Sequence, residues 1–358
     1  MKLPVDIPAV IAAAIDIDRA CEIPVSVNIL IDETASSDFQ VFVRAGFNSE
    51  SPNSRVMVSY FPAQNPDSTL ACDLTVIAAG DNDQVGALAE SFREAGTPVL
   101  VVAQSAEAVR VMAEKTGYTL PEEDVVGVPG GIFNDDTKDA LGNAVGRWIV
   151  QKVESDKRLA FSIAYPFVRK PLAYDAIRAT ALQNAGVGVV TFIPGVDMPI
   201  MTANQIKMVL QIAAAYGQRL GADRVKEMIG VLINAFICRG IARSVAGAIP
   251  ALGWAIKGAM GYIGTQAIGR AAIEYFEGGG NIAGLAALAN KTLDDASKLV
   301  EEVSSKPSVR GAASKVGPMA YRAANAALDA ATPVAKAAGK TIWSSIKPGG
   351  KRKKHSYR

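Results

Sequence analysis

DLTVIAAGDNDQVGALAESFREAGTPVLVVAQ, residues 73–104, holds two continuous apolar runs on either side of one amphipathic segment. Apolar runs of strand length without polar alternation suit strands covered on both faces, as in a parallel sheet. The segment between them stops at Gly96 and reads as a helix. On either side of this unit, VSVNILID (25–32), RVMVSYF (55–61) and DVVGVPG (124–130) read as further strands. Residues 8–20 read as a short helix. SAEAVRVMAEKTG (105–117) reads as another, with Ser105 as its cap and Gly117 as its end. NDDTKDALGNAVGRWIVQKV (134–153) reads as a long one. FQVFVRAGF (39–47) is too short for periodicity to decide between helix and strand. The alternation of strand and helix predicts a doubly wound α/β domain over roughly 20–155.

From about residue 157 strand signals stop and Ala, Gly and Arg rise. Helices are expected at 171–185, 200–216, 222–243, 251–277, 280–303 and 311–342. Within 202–216, Thr202 is the expected cap and Gly217 the stop. Asn204, Lys207 and Gln211 would line its polar face, opposite Ile206, Val209, Leu210 and Ala213. The expected division is an α/β domain over 1–156, an Ala/Gly-rich helical domain over 157–280, accessory helices over 281–345 and a basic tail over 346–358.

Charge follows the same division. Residues 1–150 carry 9 Lys and Arg against 22 Asp and Glu, a balance of −13. Residues 151–358 carry 28 against 13, a balance of +15. Such a split suggests two modules with different partners, the alternative being mutual docking of the halves or solvated faces. Residues 330–358 contain eight bases and no acid, and the stretch PGGKRKKHSYR reads as a disordered basic tail suited to anionic lipid headgroups. Three scattered cysteines, Cys21, Cys72 and Cys238, indicate neither a disulfide framework nor a zinc site. The one histidine, His355, lies in the tail, so no metal ligation or acid–base step by histidine is expected in the folded part.

The first strand decides the nucleotide question. A phosphate-binding loop needs Gly-x-x-x-x-Gly-Lys-Ser/Thr after that strand, because backbone N–H groups cradle the phosphates and the lysine neutralises them. Here the chain reads Asp32-Glu33-Thr34-Ala35-Ser36-Ser37-Asp38, and no lysine occurs between residues 3 and 114. Asp32, Glu33 and Asp38 would repel a triphosphate, although carboxylates can hold a cation. Thr34, Ser36 and Ser37 complete this degenerate loop. After the strand at 97–104, the position that would read a base holds Gln104. No catalytic residue, no metal and no cofactor is expected, GTP included.

Two helical stretches carry a family resemblance. IPGVDMPIMTANQIKMVLQIAAAYG (193–217) and AGAIPALGWAIKGAMGYIGTQAIGRAAIEYFE (246–277) resemble the helical domain fused behind Era-like GTPase domains in bacteria and shared with YcjF-like membrane proteins. The residues that carry it are Pro194, Asp197, Pro199, Gln205, Met208, Tyr216, Gly217, Pro250 and Gly253, with Tyr275 and Phe276. The resemblance covers about 160–280. It implies membrane association and a GTPase-like neighbour, and no known chemistry.

Together these readings give an α/β doubly wound GTPase-like domain lacking the P-loop, then an all-α helical domain and a disordered basic tail. The expected function is a non-catalytic, membrane-associated adaptor on the cytoplasmic face of the cell membrane, peripheral or monotopic. The uncharged runs, at 179–196, 228–238, 244–256 and 258–269, hardly reach the ~20 apolar residues of a spanning helix. Gly247, Ala251, Ala255 and Ala259 form a small-residue ladder that lets helices approach closely. Trp254, Tyr262, Lys351, Arg352, Lys353 and Lys354 are the expected contacts to an anionic membrane surface. The acidic domain would bind a protein partner, and no specific nucleic acid is expected. Two alternatives stay open: a divergent GTP-binding switch, and a soluble scaffold that forms a homo-oligomer through the helical domain.

Overall fold

The computed structural model describes residues 7–49, 51–190, 197–221 and 253–280. The apolar runs form β1 (Val25–Asp32), β2 (Ser54–Phe61), β3 (Leu74–Ala79), β4 (Val99–Ala103) and β5 (Val125–Gly127). Among the described residues these strands pair in parallel in the order β2-β1-β3-β4-β5. That order is one of the two common doubly wound arrangements. Side chains alternate between two cores, as the period of a strand requires. Val27, Ile29 and Ile31 of β1 join Leu74, Val76 and Ala78 of β3 on one face, while Leu30 and Ile77 point to the other. Both β1 and β3 are almost entirely buried, which explains their unbroken apolar composition.

Helices α2 (Ser37–Gly46) and α5 (Asp135–Lys152) cover the first face; α3 (Val85–Glu94) and α4 (Ala106–Lys115) cover the second. The ambiguous stretch at 39–47 is therefore helical. Phe39 and Val43, four residues apart, are buried, whereas Val41 between them is 57% exposed. A strand would have placed all three on one face. Local chemistry fixes the starts of α4 and α5. Ser105 Oγ accepts from the Ala108 N–H at 3.2 Å. Asn134 and Thr137 form a reciprocal capping box at the start of α5, with bonds of 3.0 and 2.9 Å.

A helical layer packs beneath α5. It contains α1 (Ile7–Ala20), α6 (Arg158–Ala164), α7 (Pro166–Val190), α8 (Asp197–Ala215) and α9 (Gly253–Glu277). α1 precedes the sheet in the chain, yet Val10, Ala14 and Ile17 share a core with Ile177, Ile206, Met208, Ile212 and Ile273. α8 starts at Asp197, five residues before the expected cap, and Thr202 is a buried mid-helix residue. Pro199 falls in its first turn, where the missing N–H has no helical partner in any case. α7 likewise starts before the expected 171 and holds Pro171 inside it. Pro171 cannot donate to the Phe167 carbonyl. α5 approaches at that spot: a Cβ on Gly146 would lie 2.6 Å from Phe167 O and 2.9 Å from Pro171 Cγ. The expected helices at 222–243, 280–303 and 311–342, and the tail, lie outside the described residues.

Polar pins tie the two layers at the amino end of the sheet. Asp73 accepts from the Ser26 N–H at 2.6 Å and from the Lys157 ammonium at 2.6 Å. The Tyr165 and Ser54 hydroxyls share a bond of 2.7 Å. Burial pushes the Tyr165 hydroxyl up to about 12, and burial beside the Glu277 carboxylate raises Tyr216 as well.

Gly146→Ala is expected to cost about 1–3 kcal/mol, because the added methyl meets backbone rather than a side chain that can swing away; urea denaturation measures it. The raised tyrosines favour the fold fully below their ordinary value of 10.0 and lose that contribution as pH rises through their folded values. Unfolding at pH 11 is therefore expected to raise tyrosinate absorbance by the equivalent of about two rings.

Candidate functional site

The connections diverge at β1. The chain passes through α2 to β2 on one side, then returns to β3 on the other. In doubly wound sheets ligands bind at this switch point, beyond the carboxyl ends of the strands. Here the crevice lies between the end of β1 at Asp32 and the end of β3 at Ala79.

Asp32 fills it. The residue is wholly buried, and its carboxylate accepts four hydrogen bonds. Oδ1 takes the Thr34 N–H at 2.9 Å and the Thr34 hydroxyl at 2.8 Å. Oδ2 takes the Gly80 N–H at 2.7 Å and the Asn82 N–H at 3.3 Å. Thr34 Oγ1 in turn accepts from the Asp81 N–H at 2.8 Å. The turn after β1 and the turn after β3 are thus bonded to one carboxylate. Gly80 is required there, since a Cβ would collide with Ala35 N and Thr34 Oγ1. Backbone N–H groups gathered at the carboxyl end of a parallel sheet form the array that faces phosphate in a nucleotide site. In this chain the array faces inward, to the protein's own anion.

The remaining loop residues do not converge on that point. Glu33 is exposed and its Oε2 accepts from the Ala63 N–H at 3.3 Å. Ser36 precedes α2 without a side-chain capping bond, and Ser37 and Asp38 are exposed in its first turn. Gln104 stands half-buried at the end of β4, two strands from Asp32. Among the described residues no group of three or more His, Cys, Asp or Glu side chains is placed to hold a metal ion. Asp32, Glu33 and Asp38 form no such group.

Gln205 joins a second polar centre, inside the helical layer. Gln205 Nε2 donates to Thr265 Oγ1 at 3.0 Å, and Asn184 Nδ2 donates to the same oxygen at 2.9 Å. Asn204 Nδ2 donates to Asn184 Oδ1 at 2.9 Å, so Asn204 turns into the bundle rather than lining a solvent face. Asn184 and Thr265 are wholly buried. Tyr216 donates to Glu277 Oε1 at 3.0 Å and stacks on Phe276. Met208 is buried, and Gly217 ends α8 at φ +80°. Asp197 and Gly253 are the first residues of α8 and α9, and Pro199 lies in the first turn of α8. Tyr262 is 38% exposed on α9, which also carries Trp254. Pro194, Pro250, Lys351, Arg352, Lys353 and Lys354 lie outside the described residues.

Gly80, Asp81 and Asn82 were not singled out from sequence, nor was Thr265. The available signal was the Asp-x-Thr spacing at 32–34, which favours a local side-chain-to-backbone turn. Compared with known proteins, the chain matches no family model, no curated protein and no solved structure.

Asp32→Ala is expected to strand buried donors and to destabilise the protein by ~3 kcal/mol. Thr34→Val, which removes one hydroxyl and leaves the carboxylate in place, is expected to cost about 1 kcal/mol. Thermal denaturation of the two variants tests that order.

Proposed function

We propose that this chain is a non-catalytic, GTPase-like, membrane-associated adaptor. The observation that carries the reading is Asp32, which occupies with its own carboxylate the donors a phosphate would need. Electrostatics support it. A second anion brought to this crevice would meet Asp32, with Glu33 and Asp81 exposed beside it and no lysine nearby in sequence.

The membrane half rests on the basic second half of the chain and on the resemblance of its helical stretches. No helix among the described residues is long and apolar enough to cross a membrane, and the proposed contact is peripheral or monotopic. The tail bases Lys351, Arg352, Lys353 and Lys354 would each contribute about 1 kcal/mol at an anionic surface, an attraction that salt screens. The acidic α/β layer is then left to hold a protein partner.

Isothermal titration with GTP and GDP in magnesium is expected to give no heat. GTP turnover lost on substituting a residue of the crevice would overturn the non-catalytic reading. Phosphate is expected to raise the melting temperature of Asp32→Ala more than that of the unaltered chain, since only the variant has unoccupied donors. For the membrane half, the full chain is expected to float with anionic vesicles. A form ending at residue 329, or high salt, should weaken that flotation. Absence of flotation in both forms at low salt would remove the bilayer from the proposal.

A further inference from the structure

The two edges of the sheet differ. At one, β5 is three residues long and runs straight into the turn at Pro129–Gly131. So short an edge offers little to another chain. At the other, β2 runs for eight residues in unbroken register with β1, from Val25 beside Ser54 to Asp32 beside Phe61. Among the described elements only β1 runs alongside it. β2 has no proline and no bulge, the usual devices that keep an edge solitary. Its one charge, Arg55, is turned to the Ala71 carbonyl, to which it donates at 3.2 Å.

The outer rim of β2 is closed at its ends and open at its middle. On the inner rim, the Asn53 and Phe61 carbonyls accept from the Val25 and Glu33 N–H groups at 3.0 Å. Odd-numbered residues therefore bond β1, and Ser54, Val56, Val58 and Tyr60 turn their backbone groups outward. Gln64 caps Tyr60 twice: its Oε1 accepts from the Tyr60 N–H at 3.0 Å, and its N–H donates to the Tyr60 carbonyl at 2.8 Å. The Ser54 N–H donates to the Ser51 carbonyl at 3.3 Å. Among the described residues nothing bonds the outward N–H and carbonyl groups of Val56 and Val58. Val58 itself is 38% exposed.

We infer that β2 pairs antiparallel with β2 of a second copy, across a twofold axis at Met57. The strand has the same pattern in both directions from that residue, Arg55-Val56-Met57-Val58-Ser59, polar at each end and apolar between. Under this pairing Val56 lies opposite Val58 of the second copy and exchanges both N–H···O bonds with it; the symmetry repeats the exchange. Every open group on the rim is thereby met. Valine faces valine on the α2 side of the sheet and methionine faces methionine on the other. Arg55 falls opposite Ser59, so no charge meets its like. Two five-stranded sheets become one continuous sheet. The contact uses neither the helical layer nor the tail, and stands independently of the membrane reading.

Thiols placed across the axis test it in the full chain. A residue opposite itself in a non-hydrogen-bonded antiparallel pair has its Cα about 4.5 Å from its mate, within disulfide range. Met57→Cys, oxidised with copper-phenanthroline in air, is expected to give a linked dimer that peptide mapping finds joined at position 57 of both copies. Val58→Cys sets its thiols diagonally, out of range, and is expected to give at least roughly tenfold less linkage. Without oxidant, sedimentation of the unaltered chain is expected to show a dimer. Val58→Lys should raise its dissociation constant roughly tenfold, because an edge lysine resists pairing. Val111→Lys, on exposed α4, should leave it unchanged. A monomer at high micromolar concentration, no linkage at position 57, linkage at position 58 as strong as at 57, or a dimer as tight after Val58→Lys as after Val111→Lys would each overturn the inference.

Discussion

One buried carboxylate holds the carboxyl edge of the sheet together. β1 is paired on both sides, with β2 and with β3, so whatever closes its end also fixes the start of α2 and the approach to α3. Asp32 does this with four bonds to two separate turns. A neutral side chain of the same size offers fewer acceptor positions and would leave a donor unmet. The same arrangement occupies backbone donors at the carboxyl edge, where doubly wound folds ordinarily meet a ligand. Stability of the edge and occupation of those donors therefore have one cause.

Helices meet closely, between the layers and within the helical one, where side chains are missing. Gly146 lets α5 reach the Phe167 carbonyl, and Gly269 lets α9 lie against Ile177, whose side chain would collide with any Cβ there. Close backbone approach of this kind gains dispersion contacts and tolerates little change in volume. At the centre of the helices, the amide and hydroxyl groups of Asn184, Asn204, Gln205 and Thr265 bond to one another. A polar network inside an Ala-rich bundle adds directionality that Ala and Leu contacts lack, and it disfavours sliding of one helix along another.

Much of the α/β layer is legible in the sequence, because unbroken apolar runs between Gly- and Ser-bounded helices have few other readings. The ambiguous run at 39–47 became a helix for a reason outside its own sequence: only the structure shows that Val41 has no core to enter. Thr202 misleads as a cap because Pro199 permits a helix to start earlier than propensity alone implies. At the crevice, the absence of lysine and glycine after β1 was visible, but the use of Asp32 was not. Its Gly80 and Asn82 donors are 48 and 50 residues away, a distance across which a local pattern carries no information. The bundle network is hidden for the same reason, since Asn184 and Thr265 are 81 residues apart.

The place of α1 has a consequence for how the chain is made. α1 leaves the ribosome first of the described elements, yet much of its core is supplied by α8, and the Leu220 N–H that Asp18 accepts lies 202 residues later. At synthesis rates of about 5–20 residues per second, its apolar face waits roughly 10–40 s for them. Over that interval the sheet can assemble completely, while Val10, Ala14 and Ile17 lack the α8 side chains that complete their core. A nascent chain of this design exposes one amphipathic helix beside a finished domain, the kind of surface that chaperones hold.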